Sequence, residues 1–532
     1  MVKMRRFREL RAPYNQNFAK QVSGILSTFY IRYYRNKRSS VCSSTTTGVI
    51  SLMVTLGALA LIPVDIFVVS YMKDPDGEFK EWASNNETRA KVETAILYTY
   101  YILYSLIIAF LFLVIPFAIF FYEEEDEDIT LKSRLFQASK FTACFVGFAV
   151  TLLLVGAFIP DSSSAKSGGS AWEEFQHLIK EIGESRGENA LYFLISFVTL
   201  VGMLAIVIYT SYGMIIIPID MLRGKRDTEE ELREMRSRRE RNEEQRRRLE
   251  RRYSERRTTA SSYRNRQDDL EDEELLIQQS EERLVAIRDD HQRGFLHKCS
   301  LLWWPFRVIV AVTLLTVDLL IVLSLFLTSL DRAMHSSGPK TGYMLSKRVL
   351  PNPLDIILVL SQEIFPMDFI IFLSILMFFM WASMAGIRKI GIWFCCLRMY
   401  KIRPHRTKAQ GVLFMCMFMM YILMALNIMM YSLAPDYLSF GNQKYSVNGS
   451  HAIQCTIEAG DECIFTVTTA LLATFTLNFW FFGACYYWTT WLFMAFVVIS
   501  IVVAILKKPT SSIEGAVDSS DLDDSDDELV QP

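Results

Sequence analysis

Apolar residues in this chain gather in unbroken runs rather than alternating, near 48–72, 94–122, 136–159, 190–216, 305–329, 367–387, 410–433 and 480–506. Each run reaches or exceeds the roughly 20 residues that a helix needs to cross about 30 Å of hydrocarbon. Only helices and closed barrels satisfy their backbone polar groups in lipid, and continuous runs select helices. The pattern therefore predicts an all-α fold, a polytopic transmembrane helix bundle with eight strong spans. The run 94–122 would be roughly 43 Å long as one helix, so it must tilt or project. Residues 18–34 (FAKQVSGILSTFYIRYY) carry Lys20, Gln21 and Arg32, and read either as a ninth span or as an amphipathic helix at the interface. The segment 352–365, between Pro351 and Pro366, is too short and polar to cross and predicts an interfacial helix.

Composition agrees: 51% of the 532 residues are hydrophobic, although the net charge of −2 conceals strong segregation. Residues 1–46 hold ten Lys/Arg and one acid, Glu9. The loops 217–304 and 388–409 and the pair Lys507–Lys508 are also basic, whereas 73–93, 160–189 and 434–479 are poor in bases. Because cytosolic loops carry the Lys/Arg excess, the first set is expected in the cytosol and the second in the lumen. The resulting organisation is a basic N-terminal segment (1–46), a first helix group (47–225), a charged cytosolic helical hairpin (226–292), a second helix group (293–506) and an acidic cytosolic tail (507–532). In the hairpin, opposite charges recur at i,i+4 along 233–257 and a second helix is expected over 268–289. The alternative is a partly disordered loop. Interspersed acids on a membrane chain argue against nucleic-acid binding.

Several short signals fall on this frame. Asn86-Glu-Thr and Asn448-Gly-Ser are N-glycosylation sequons in loops expected in the lumen. Cys455 and Cys463 share one of those loops and either pair there or remain two thiols. Glu271, Leu275 and Leu276 fit an acidic dileucine that clathrin adaptors read, a pattern that chance also supplies in acidic helices. Ser519, Ser520 and Ser525 precede acids, as acidophilic kinases require, in a tail that otherwise reads as solvated. Cys395 and Cys396 directly follow a span and are candidates for palmitoylation or for burial. Asp65 and Asp318 are intramembrane carboxylates, expensive in lipid. They line a polar path or, the reading favoured here, hydrogen-bond to a neighbouring helix or stay neutral. The six histidines show no metal-ligand spacing, and GxxxxGK[ST] and HExxH are both missing. The chain reads as no enzyme, and active pumping would need a partner.

The segments LIPVDIFVVSYMKDPDGEFKEWA (61–83), LVGAFIP (154–160), GMLAIVIYTSYGM (202–214), SLFLTSLDRAMHSSG (324–338), SMAGIRKIGIWF (383–394), YKIRPHRT (400–407) and YSLAPDYLSFGNQKY (431–445) resemble the limb-region-1-like family of membrane proteins. The similarity runs from about residue 45 to the acidic tail. It implies a lysosomal membrane protein with nine spans and a luminal N-terminus, a non-enzymatic escort that brings an ABC-type cobalamin transporter from the endoplasmic reticulum to lysosomes. Implied partners are that transporter, a cytosolic cobalamin-trafficking chaperone and, for receptor uptake, a clathrin adaptor and the insulin receptor. Cobalamin enters as a transported ligand; no bound cofactor is implied. Two departures stand out. The family's first span is eroded in the basic segment 1–46, and its Tyr-Glu-Arg-Leu and Trp-Thr-Lys-Phe adaptor motifs are replaced by TEEELREM (228–235) and GFLHKCS (294–300). The alternatives are a lipocalin-type endocytic receptor at the plasma membrane, and a secondary transporter using Asp65 or Asp318.

Overall fold

The computed structural model describes residues 16–34, 42–74, 76–123, 131–158, 186–224, 228–254, 295–345, 348–362, 366–394, 397–400, 409–447, 451–456 and 463–507, with isolated positions between 270 and 286 and at 364, 402 and 407. Eight helices among these are long and apolar enough to cross a membrane: Ser44–Ser70, Asn86–Tyr122, Leu131–Phe158, Asn189–Arg223, Trp304–His335, Met367–Ile390, Ala409–Leu433 and Trp480–Leu506. They match the eight apolar runs one for one.

In chain order, α1 is Gln16–Tyr34 and α2 Cys42–Ser70. Helix α3 runs Asn86–Ala109, passes through a π-helical turn Phe110–Val114 and continues over Ile115–Glu123. Helix α4 is Leu131–Phe158; α5 runs Arg186–Ala205, has a π turn at Ile206–Thr210 and ends with Ser211–Arg223. Then follow α6 (Thr228–Ser254), α7 (Phe295–His335), α8 (Pro353–Ser361), α9 (Met367–Ile390), α10 (Ala409–Leu433), α11 (Pro435–Phe440), α12 (Val467–Asn478) and α13 (Trp480–Leu506). Two short antiparallel hairpins, which the hydrophobic pattern did not signal, join helices: β1 (Ile392–Phe394) with β2 (Leu397–Tyr400), and β3 (Lys444–Val447) with β4 (His451–Gln454).

The chain divides into two compact units. One comprises residues 1–216 and 316–502, the other 217–315 and 503–532. In the first, α10 is the central helix, packed by α2, α3, α5 and α9, and 78% of its most apolar stretch is buried, against 17% for α4. Outward apolar side chains need no cover in hydrocarbon, so hydropathy alone does not separate core from lipid face. What marks the core is close backbone approach. A Cβ on Gly202 would collide with the carbonyl oxygen of Tyr421 in α10, and one on Gly386 with that of Tyr209 in the π turn of α5. Beside the second crossing Thr210 and Ser383 share a hydroxyl hydrogen bond of 2.7 Å. Small residues and hydroxyls at helix crossings are the usual substitute for the hydrophobic effect inside a membrane.

Helix α1 is not among the eight crossing helices. Ser27, Ile31 and Tyr34 are buried, whereas Ile25, Leu26 and Phe29 face outward. Gly24 of α1 lies over Met53 of α2, and Gly48 of α2 over Ile31.

In the second unit, α6 pairs with the described positions of 270–286, all helical. Leu232 and Leu284 form a small buried cluster with Met235 and Val285. Arg239 meets Glu281 at 3.4 Å, Arg246 meets Glu274 at 3.3 Å, and the Asn242 amide donates to the Leu270 carbonyl at 3.2 Å. From Leu232–Leu284 through Arg239–Glu281 to Arg246–Glu274, residue numbers rise on one side as they fall on the other, so the two charged segments run antiparallel. In the same unit, Arg223 donates to the carbonyls of Ala504, Ile505 and Lys507, at the C-terminus of α13.

Candidate functional site

A buried polar cluster is assembled where α7 ends and α8 and α11 begin. Its local scaffold follows from sequence. Asn352, followed by Pro353 at the first helical position, is a favoured start for a helix. Its side chain accepts from the amides of Leu354 and Asp355. The Asn352 amide in turn donates to the Leu433 carbonyl at 2.7 Å and to Thr328 Oγ1 at 3.0 Å, tying α8 to α10 and α7. Leu354, Asp355 and Leu358 face inward while Ile356, Ile357 and Leu360 face outward, the pattern of a helix lying at an interface.

Arg348 is the junction. Its Nη1 donates to Asp355 Oδ2 at 2.8 Å and to Asp436 Oδ2 at 2.9 Å, and its Nη2 donates to Thr328 Oγ1 at 3.4 Å. Asp355 Oδ1 accepts from the Tyr437 amide at 3.2 Å, so this carboxylate also caps the first turn of α11. Tyr437 Oη reaches Asp368 of α9 at 3.1 Å. One guanidinium thus gathers four segments of chain. Burial, then the neighbouring charge of Asp436, pushes the Asp355 carboxyl up to about 7, against the opposing pull of Arg348 and the Tyr437 amide. Burial acts to lower the Arg348 pKa, and Asp436 and Asp355 more than reverse it.

Next to this junction, Asp331 is taken by His335 Nδ1 at 2.8 Å and by the Val349 amide at 3.3 Å. A cavity of about 440 Å³ opens against Arg348, Asp355, Asp436 and Gln454, with Val349, Pro351, Ile356 and Leu360 as apolar walls. The neighbouring hairpin β3–β4 is clamped by Gln443, whose side chain donates to the carbonyls of Phe440 and Ile464 and accepts from the Ile464 amide. Beneath it Cys455 and Cys463 are joined as a disulfide, packed on Phe440, Tyr445 and Phe465.

The other residues singled out from sequence lie apart from this cluster. Asp65, fully buried in α2, accepts from the Thr468 amide and hydroxyl at 2.8 Å each and from the Val467 amide at 3.3 Å; Tyr100 shares the same hydroxyl at 2.6 Å. It holds the N-terminus of α12. Asp318, buried in the middle of α7, makes no hydrogen bond with any described residue through either oxygen. Asn86 is the exposed first residue of α3, and Arg89 donates to its side chain. Asn448, Glu271, Leu275, Leu276, Cys395, Cys396, Ser519, Ser520 and Ser525 lie outside the described residues. Among the described residues no group of three His, Cys, Asp or Glu gathers to hold a metal ion.

Arg348, Asp355 and Asp436 escaped sequence reasoning, which looked for ionisable residues inside spans. The available signal was an inconsistency. Residues 330–366 fall on the side expected to be poor in bases, yet hold Arg332, Lys340, Lys347 and Arg348. Bases on the unfavoured side of a membrane invite a search for the acids that hold them. Two of the segments carrying the family resemblance, 324–338 and 431–445, also supply Thr328, Asp331, His335 and Asp436.

Comparison with known proteins accounts for nearly the whole chain. A family model described as LMBR1-like membrane protein matches residues 22–274. A protein of Nematostella vectensis named probable lysosomal cobalamin transporter is 42% identical over 528 residues, covering 95% of each chain. The lysosomal cobalamin transport escort protein LMBD1 of Danio rerio is 40% identical over 517 residues, 94% of each chain. That of Gallus gallus is 39% identical over 535 residues, 95% of each. No solved structure matches the chain. With end-to-end similarity of this extent, and with eight crossing helices in the places the apolar runs predict, the chain belongs to the LMBR1-like membrane protein family.

Proposed function

We propose that this chain is a lysosomal membrane escort in cobalamin transport. The observation that carries the reading is its roughly 40% identity, over about 95% of its length, to relatives named for that role. The partner is an ABC-type cobalamin transporter, met through the membrane helices, and a cytosolic cobalamin-trafficking chaperone docks on the charged hairpin of 226–292. The escort needs no nucleotide site of its own, and the sequence offers no phosphate-binding GxxxxGK[ST] loop. Any uptake through clathrin adaptors, at the insulin receptor for instance, falls to Glu271, Leu275 and Leu276. The endoplasmic reticulum and the plasma membrane are then stations on its route.

In this reading the Arg348 junction and the disulfide hairpin face the lumen, with glycans on Asn86 and Asn448. The N-terminal segment, the hairpin of 226–292 and the tail with Ser519, Ser520 and Ser525 face the cytosol. Packing supports the assignment. Gly77 lies against Tyr445 and Ser446, all expected in the lumen, while Tyr34 accepts from Thr407 and Tyr122 from Gln410, at positions expected at the cytosolic face.

The test is the location of the ABC transporter in cells lacking this chain. Its colocalisation with lysosomes should be lost, with cytosolic cobalamin falling, and both should return with the wild-type chain. A transporter that stays lysosomal without this chain overturns the proposal.

A further inference from the structure

On the other side of the Arg348 guanidinium lies a second, smaller cavity of about 50 Å³. That is room for roughly three or four waters, or for one tetrahedral oxyanion. Arg348 is fully engaged with its carboxylates, but a second arginine on the wall, Arg332, is not. Its one hydrogen bond among the described residues is to Ser432 Oγ at 3.3 Å, and it lies 5.5 Å from the ring centroid of Tyr431. The acid next to it in sequence, Asp331, is already committed to His335 and the Val349 amide. No carboxylate among the described residues forms a salt bridge with Arg332; the nearby charge of Asp331 attracts it and that of Arg348 repels it. Arginine keeps its charge and presents five N–H donors in a fixed fork, so a half-buried guanidinium without an anion is an unfilled requirement.

Two further features of the wall point the same way. The hydroxyls of Tyr343 and Tyr431 both belong to lining residues, and neither makes a hydrogen bond with any described residue. Tyr343 also sits at φ 57, a left-handed conformation that side chains other than glycine rarely adopt. It is held there by stacking on Tyr487, with ring centroids 4.1 Å apart, and by the preceding Gly342, which packs on the backbone of Gly483. Backbone strain that the surroundings over-determine clusters where ligands bind.

We propose that this cavity binds a phosphate-class oxyanion through the Arg332 guanidinium, with the Tyr343 and Tyr431 hydroxyls as additional donors. The planar fork of arginine matches phosphate in a bidentate way. The cavity is walled by the end of α7 and the start of α13, two of the membrane-crossing helices, and so lies at the depth of lipid headgroups. The phosphate of an anionic phospholipid and a soluble phosphate offer the same chemistry there. The inference does not rest on the escort reading.

The test uses the full chain in detergent, with native mass spectrometry and thermal shift as readouts. The probes are dioleoyl phosphatidylglycerol and inorganic phosphate, with dioleoylglycerol as the phosphate-free control. One equivalent of a phosphate probe should bind, the control should not, and Arg332→Gln should weaken binding at least tenfold, with Arg332→Lys intermediate. Lipid binding that inorganic phosphate does not compete identifies the headgroup; displacement by inorganic phosphate identifies a soluble anion. If Arg332→Gln fails to fold, Tyr431→Phe decides, since it removes only an oxygen without a partner, and a threefold or greater loss is expected. Failure of both phosphate probes to bind, binding unchanged in Arg332→Gln, or binding unchanged in Tyr431→Phe where that variant decides, overturns the proposal.

Discussion

Arginine meets carboxylate in two regions of this chain, with opposite consequences. Between α6 and the described positions of 270–286, Arg239–Glu281 and Arg246–Glu274 form bridges at 3.4 and 3.3 Å, with side chains 17–44% exposed. At the Arg348 junction one arginine holds Asp355 and Asp436 at 2.8 and 2.9 Å, with the Arg348 and Asp355 side chains only 14% and 8% exposed. Exposed pairs gain little, because water and salt screen them and long side chains lose entropy. Buried pairs recover a heavy desolvation cost only while intact, so losing one partner strands the other charge. The hairpin has many charges that each matter slightly, whereas the junction has few and depends on all of them.

The comparison is broken most directly at Arg348. Arg348→Gln leaves Asp355 and Asp436 facing each other without a cation and should cost about 3–5 kcal/mol. A fall in the unfolding midpoint of the detergent-solubilised chain measures it, and a shift no larger than that of a hairpin variant would erase the contrast. A smaller effect separates the two carboxylates by pH. Asp355 keeps its proton to higher pH in the folded chain than in the unfolded one. Its contribution to stability is therefore full below the ordinary carboxylate range and is lost as pH rises towards 7. Stability should be greater at pH 5 than at pH 7.5 by on the order of 1–2 kcal/mol, and Asp355→Asn should flatten that slope. An unchanged slope in the variant would remove Asp355 as its source. The smallest effect belongs to the hairpin. Arg246→Gln should change stability by less than about 1 kcal/mol and should become silent in high salt, as followed by hydrogen exchange along α6.

The eight crossing helices were legible because crossing a membrane is a local property, a matter of length and apolarity within one segment. The roles of the helices were not. Helices α4 and α10 read alike as apolar runs, and only packing shows one facing outward and the other at the centre. Asp65 shows how an intramembrane carboxylate misleads: its partners, Val467 and Thr468, are some 400 residues away in sequence and turn it into a helix cap. Asp318 was equally visible and is the opposite case, a buried carboxyl without a hydrogen bond to any described residue. The Arg348 cluster draws its members from 324–355, 368 and 431–437, and no window of sequence contains it. The bases of 330–366, on the side expected from sequence to be poor in them, were its one local trace.

The two glycine crossings have a mechanical consequence. At Gly202 and Gly386 the main chain of one helix rests directly on that of another, with no flexible side chain between to act as a bearing. Helices α5, α9 and α10 therefore form a keel that resists sliding. Any working motion of this unit has to swing the peripheral helices, α4 foremost, around that keel rather than shear through it.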